Sequence, residues 1–323
     1  MRREHSFIYG QAGVRLHNAP RSRPALCVLA AAALLTASLA APARGPIGGR
    51  DADYQMALSQ AHKRYKSDRS GTIPEAVPRL GKVSPELYGL ALVRVDGKVW
   101  QAGDSRIPFV LSGTAAPFTA ALLAEQGGTA ANNPLDASGS LITLSLVKPQ
   151  HDPDAKWRVV LGNLGLFAGR ELFLDAGMYA SATAVAPSVQ QAARQLAGDG
   201  QLADDADSTA DLLVKQGAVT LTAYDLAVMA ATLANGGKNP INGHVVVKPE
   251  VAQSLQTVMK SEGVQKLGMT SVAGRAGCII AIVPGRFGLA VYSPPLDASG
   301  NSVRGQRAIK YLSQVLMVDF AAN

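Results

Sequence analysis

Cysteine is nearly missing from these 323 residues: there are two, Cys27 and Cys278. Cys27 lies inside an N-terminal apolar run, so the body of the chain holds one thiol and cannot staple itself with an internal disulfide. Histidine is sparse too. His5, His17, His62, His151 and His244 are scattered, and no His/Cys cluster has the spacing of a metal site. No metal or other cofactor is therefore expected. Aromatic residues make up 5%, so the core must be built mainly from Ala, Leu, Val and Ile. With 47% hydrophobic and 17% charged residues, the balance is that of a globular chain and argues against disorder.

The formal charge of +7 is unevenly spread. Six arginines against Glu4 put +5 into the first 45 residues and leave +2 for the rest. No Lys/Arg stripe with interleaved aromatics is present, which excludes nucleic acid as the expected partner. The run Pro24–Ala43 is uncharged, follows Arg21 and Arg23, and ends in Ser38-Leu39-Ala40 and Ala41-Pro42-Ala43, both of small-x-small form. This pattern predicts a secretory signal over residues 1–43 and a periplasmic or secreted product. An uncleaved anchor is the competing reading, because the run approaches the ~20 residues that span a bilayer; only in that case would the chain touch a membrane. The position of Cys27, near the start of the run, argues against a lipoprotein.

Residues 44–84 are rich in Pro, Gly and charge and read as a loose arm with one helix around Tyr54–Tyr65. The main domain is expected over residues 85–323. Tyr88–Val95 and Lys98–Ala102 flank Asp96-Gly97, a dipeptide that favours a tight hairpin turn. Pro117–Ala124 is an apolar helical stretch, and residues 135–235 are mainly helical. Thr222 with Asp225 three residues on predicts a capping box, and Asn235-Gly236-Gly237 a helix stop. Gly277–Val283 and Phe287–Tyr292 form a second hairpin, and Gln306–Phe320 a closing amphipathic helix. Strands at both ends around a helical block predict an α+β fold with one antiparallel sheet assembled from the two chain ends.

Three stretches go beyond such patterning: Asp225–Pro240, Ile282-Val283-Pro284 and Ser293–Gly305. Together they closely resemble the serine-dependent glutaminases, with weaker matches at Ala168–Glu171, Tyr179–Ser181, Asp96-Gly97 and Gly103-Asp104. The resemblance implies the fold of serine β-lactamases and penicillin-binding transpeptidases, an antiparallel sheet flanked by helices with a mainly helical second lobe. It also implies hydrolysis of L-glutamine to L-glutamate and ammonia. In that chemistry the lysine of an S-x-x-K motif takes the serine's proton, because residues i and i+3 share a helix face.

Anchored on Phe109 and Phe118, the resemblance places the family's nucleophile on Gly113 and its lysine on Ala116. Pro117 follows and pushes any helix start to about that point. Substrate-binding positions of the family fall on Ala137, Ala182, Val189, Leu213, Gln265 and Arg275, all chemically altered. The expected function is therefore that of an exported, catalytically inactive glutaminase relative that binds an amino-acid or carboxylate ligand, or a partner. The alternative is a working amidohydrolase with rearranged groups, its nucleophile drawn from Ser112, Thr114 or Ser145; a third possibility is a purely structural envelope protein.

Ser145-Leu146-Val147-Lys148 is the chain's one S-x-x-K, but Pro149 makes a helix through Lys148 a poor expectation. Arg275 could grip a carboxylate, pair with Asp136, or turn to solvent. Asp297 and Asn301 read as turn formers, Lys260–Glu262 as a solvated helix end, and His244 as a surface residue.

Overall fold

The computed structural model describes residues 51–316 apart from Ala76, Asn132, Gln265, Lys266 and Gly268, so the signal segment lies outside the described residues. The strands are β1 (Gly89–Arg94), β2 (Val99–Gly103), β3 (Phe109–Val110), β4 (Phe173–Leu174), β5 (Val219–Leu221), β6 (Ser271–Gly274), β7 (Cys278–Val283) and β8 (Phe287–Tyr292). Helices are α1 (Asp51–Tyr65), α2 (Ala116–Glu125), α3 (Ala137–Leu146), α4 (Pro153–Ala168), α5 (Ala176–Thr183), α6 (Pro187–Gly198), α7 (Ala206–Gly217), α8 (Ala223–Ala234), α9 (Pro249–Glu262) and α10 (Val303–Val315).

Five strands form one antiparallel sheet in the order β2-β1-β8-β7-β6, and β1 pairs with β8 from Gly89 opposite Tyr292 to Arg94 opposite Phe287. The expected joining of the two chain ends is thus direct. Because side chains alternate across a strand, the sheet carries a core on each face. Ala91, Val93, Ile280, Ile282 and Ala290 pack toward α8 and the helical lobe. Leu90, Leu92, Ile279, Ala281 and Val291 pack toward α1 and α10. β7 and β8 are buried at every residue, which is why they read as continuous apolar runs rather than alternating ones.

Both hairpins and the Thr222 cap fold as the sequence predicts. Gly97 takes φ +84° in the first turn, the left-handed region that glycine enters without strain. The Thr222 hydroxyl accepts the amide of Asp225, whose carboxylate in turn accepts the amide of Thr222. A three-stranded sheet, β3-β5-β4, has no counterpart in the sequence reading, because strands of two or three residues carry no periodic signal. The helix expected around Tyr54–Tyr65 is present as α1, docked against the sheet rather than lying in a loose arm. Tyr54, Ala57, Leu58 and Ala61 of α1 are buried in the second core, and Tyr54 stacks on Trp100 with centroids 4.7 Å apart. The packing therefore draws no boundary at residue 84.

Helix α8 is buried at every residue but Tyr224, between the sheet on one side and the helical lobe on the other, and is mostly apolar for that reason. Its alanines let it come unusually close. A Cβ on Gly288 of β8 would stand 2.2 Å from the Ala231 amide nitrogen. At the other end of the sheet, Arg304 is fully buried. Its Nε donates to Ser293 Oγ at 2.7 Å, and its guanidinium donates to the carbonyls of Pro85 and Leu87. One side chain thereby ties β8's exit, the entry to β1 and the start of α10 together. Replacing Gly288 by Ala forces this packing apart and is expected to destabilise the chain by about 2 kcal/mol, as read from the midpoint of urea unfolding.

Candidate functional site

β3 delivers the chain to the corner that matters. Phe109 pairs with Leu221, the Leu111 amide donates to the Val219 carbonyl at 2.9 Å, and a single 3-10 turn follows over Ser112–Ala115. α2 then starts at Ala116, with Pro117 in its first turn, where a missing N–H leaves no bond unmade. Ser112 adopts φ +52°, uncommon for a residue with a side chain. Gly113 is exposed, and a Cβ there would lie 3.4 Å from the Ala273 carbonyl oxygen and 3.9 Å from Gly274 Cα. A side chain at position 113 would thus point at β6, the edge strand of the main sheet. Gly274 has no room for anything larger, since its Cβ would stand 2.9 Å from Cys278 Sγ and 3.1 Å from the Leu111 carbonyl. The C-terminus of α7 closes the corner: a Cβ on Gly217 would lie 3.8 Å from Ser112 Cα.

The hydroxyls and thiol around this corner are mostly committed. Thr114 is buried, donates to the Leu111 carbonyl at 2.5 Å and lies 3.6 Å from Cys278 Sγ. Burial pushes the Cys278 thiol up to about 11, so it is neutral at ordinary pH and closed to solvent. Ser145 is buried in α3, donating to the Ile142 carbonyl at 2.8 Å and accepting the Ala203 amide at 3.1 Å. α3 ends at Leu146, so Lys148 lies beyond it and is exposed, as Pro149 predicts. The ammonium near Ser145 belongs instead to Lys156. It is fully buried, donates to the Leu144 and Ser145 carbonyls at 3.1 Å each, and pairs with Asp204 at 2.7 Å. A cation there satisfies the last carbonyls of α3 and complements its dipole. Ser112 is left as the accessible hydroxyl of the corner.

The family model described as Glutaminase matches residues 71–132 and 112–320. This chain belongs to the glutaminase family. Glutaminase 2 of Yersinia pestis is 31% identical over 297 residues, covering 81% of this chain and 87% of that protein. The glutaminase of Mycobacterium ulcerans is 32% identical over 308 residues, covering 84% and 96%. A solved structure described as a probable glutaminase, ybaS, aligns with a TM-score of 0.80 at 28% identity, covering 83% of this chain and 98% of its own. A probable glutaminase from Bacillus subtilis, solved in complex with 6-diazo-5-oxo-L-norleucine, shares the fold with a TM-score of 0.75 at 22% identity, covering 81% and 95%. The architecture is accordingly the β-lactamase-like one of glutaminases.

Gly113 and Ala116 lie three residues apart at the entry to α2, the first exposed and the second buried. Val189 and Leu213 come together in an apolar cluster with Leu141, Ala193 and Ala210, so their side chains serve packing between α3, α6 and α7. Ala137 opens α3, directly after Asp136. Ala182 is half-buried in α5, and Gln265 lies outside the described residues. Arg275 does not pair with Asp136. The Asp136 carboxylate caps α3 by accepting the Gly139 amide at 2.7 Å. Arg275 is exposed, with its guanidinium carbon 3.9 Å from where a Gly300 Cβ would stand, and it has no ion-pair partner among the described residues. Asp297 and Asn301 do close the turn before α10: the Asp297 amide donates to the Asn301 carbonyl at 2.8 Å, and Asp297 Oδ1 accepts the amides of Ser299 and Asn301.

Sequence reasoning missed the ionic ties because each partner lies far away along the chain. Arg170 grips Asp225 through two bonds, Nε to Oδ1 at 2.8 Å and Nη2 to Oδ2 at 2.7 Å. Burial alone would raise the Asp225 carboxyl, but the bonds from Arg170 and Thr222 outweigh it and hold the carboxyl below its ordinary range. The same balance, with Lys156 as donor, holds Asp204 low. A depressed folded-state pKa contributes stability that is complete above the unfolded value of about 3.9 and is lost as pH falls through the folded value. Asp225→Asn is expected to cost about 2 kcal/mol at pH 7, less than a buried pair because Arg170 is partly exposed. Denaturant titrations should show that difference shrinking below about pH 4.

Proposed function

We propose that this glutaminase-family chain is an exported, catalytically silent member that uses its scaffold to bind a small amino-acid or carboxylate ligand, or a partner. Gly113 carries the proposal. It occupies the position matched to the family's nucleophile, it faces the edge of β6 from an exposed turn, and it has no side chain to attack with. Ala116, one turn on, offers no amine. Loss of a nucleophile alone lowers turnover by about 10⁶ in a well-studied hydrolase.

The loss of neighbouring polar groups supports the same conclusion. Val189 and Leu213 pack into an apolar cluster rather than presenting donors, and Arg275 faces solvent. Thr114, Ser145 and Cys278 are buried, and each already engages neighbouring groups. Export is proposed from the Pro24–Ala43 pattern alone.

Purified chain incubated with L-glutamine should release no ammonia above background; turnover in the usual enzyme range of about 1–10³ s⁻¹ would overturn the proposal. The working-enzyme alternative places its nucleophile at Ser112, the accessible hydroxyl. It predicts a mass increase at Ser112 after incubation with 6-diazo-5-oxo-L-norleucine, whereas the silent chain stays at its native mass. For export, expression of the full chain in a Gram-negative host should yield periplasmic protein whose new N-terminus follows Ala40 or Ala43. Retention of the intact leader in the membrane fraction would mean an anchor instead.

A further inference from the structure

A second site lies away from the Gly113 corner and shares no residue with it. Six large apolar side chains are exposed among the described residues, and the two that line a cavity, Leu166 and Phe173, line the same one. Leu166, 49% exposed, and Phe173, 65% exposed, line a cavity of about 520 Å³. Ile241 and Val245 flank Asn242 and His244, which line it as well. Isolated exposed apolar residues need no explanation, but a cluster around a cavity does. The volume lies within the ~300–1,000 Å³ typical of small-molecule pockets.

Two glycines of α4 line the cavity floor, Gly162 exposed and Gly165 packed so that a Cβ would stand 3.0 Å from the Arg170 carbonyl oxygen. Gly162 and Gly165 lie on one face of α4, and a Cβ on Gly162 would meet nothing within 4 Å. Leucine or alanine there would favour the helix by close to 1 kcal/mol over glycine, so the helix itself gives no reason for glycine at that position. The room it leaves opens onto the cavity that Leu166 and Phe173 also line.

The charges select the occupant. Arg158, one turn before Gly162 on the same helix, lines the cavity, is exposed and has no ion-pair partner among the described residues. Arg170 also lines it, but its guanidinium is held by Asp225. Glu171 supplies one acid to the wall, which disfavours a ligand carrying two negative charges. We propose that this cavity binds a small monocarboxylate with an aromatic or branched apolar body, its ring or branch over the Gly162 floor and its carboxylate on Arg158.

The test uses phenylacetate as probe and benzyl alcohol as its uncharged counterpart, with the purified full chain followed by saturation-transfer NMR and calorimetry. Phenylacetate is expected to bind with a Kd of about 1 mM, in line with the efficiency of a ten-atom ligand. Gly162→Leu should fill the floor and abolish binding while leaving the melting temperature unchanged or raised. Arg158→Gln should reduce phenylacetate binding to the level of benzyl alcohol. The proposal fails if phenylacetate shows no binding at about 10 mM, tenfold above that Kd, or binds Gly162→Leu as well as the native chain. It fails equally if sedimentation shows a dimer that Gly162→Leu dissociates, since the patch would then be covered by a second copy.

Discussion

At Gly288 the backbone of β8 meets the backbone of α8 with no side chain between them. Most of the molecule is arranged around that contact. It requires small residues along α8, which supplies five alanines, and it requires the helix to be buried on every side. All the buried apolar side chains of α8 lie in one core, between the sheet and the helical lobe. The sheet can serve as partition only if it too is covered on both faces, which α1 and α10 accomplish from the far side. Close packing of this kind tolerates little change in volume, so the segments joined to it are held in place.

The corner around Gly113 derives its geometry from this arrangement. β6 is the edge strand beyond β7, and its end at Gly274 is held within contact distance of Cys278 and Leu111. β3 and β5 lock the other side of the corner, so the turn at Ser112–Ala115 is presented to β6 whatever side chains it bears. The scaffold itself is held by α8, the sheet and Arg304, whose packing and hydrogen bonds do not involve the side chains at the corner.

Buried charges add local ties. Lys156 neutralises the end of α3 and pairs with Asp204, while Asp225 serves both as the cap of α8 and as the anchor of Arg170. Such pairs are weak evidence for net stability, because desolvation offsets much of the attraction, but breaking one leaves a costly unpaired charge. Here they set position: Lys156 joins α4 to the end of α3, and Asp225 joins α8 to the loop after α4.

The sequence by itself determined the elements whose information is local. The Asp96-Gly97 turn, the Thr222–Asp225 cap, the two hairpins and the helical middle all depend on residues within a few positions of one another. The family segments also pointed to the fold. Only the tertiary structure decided the rest, because it depends on contacts between distant residues. It docked the expected helix at 51–65 into the second core, gave Lys156 rather than Lys148 the place beside Ser145, turned Arg275 to solvent and packed Val189 and Leu213 onto one apolar cluster. It also opened a cavity over Gly162, where the sequence shows only a glycine in a helix.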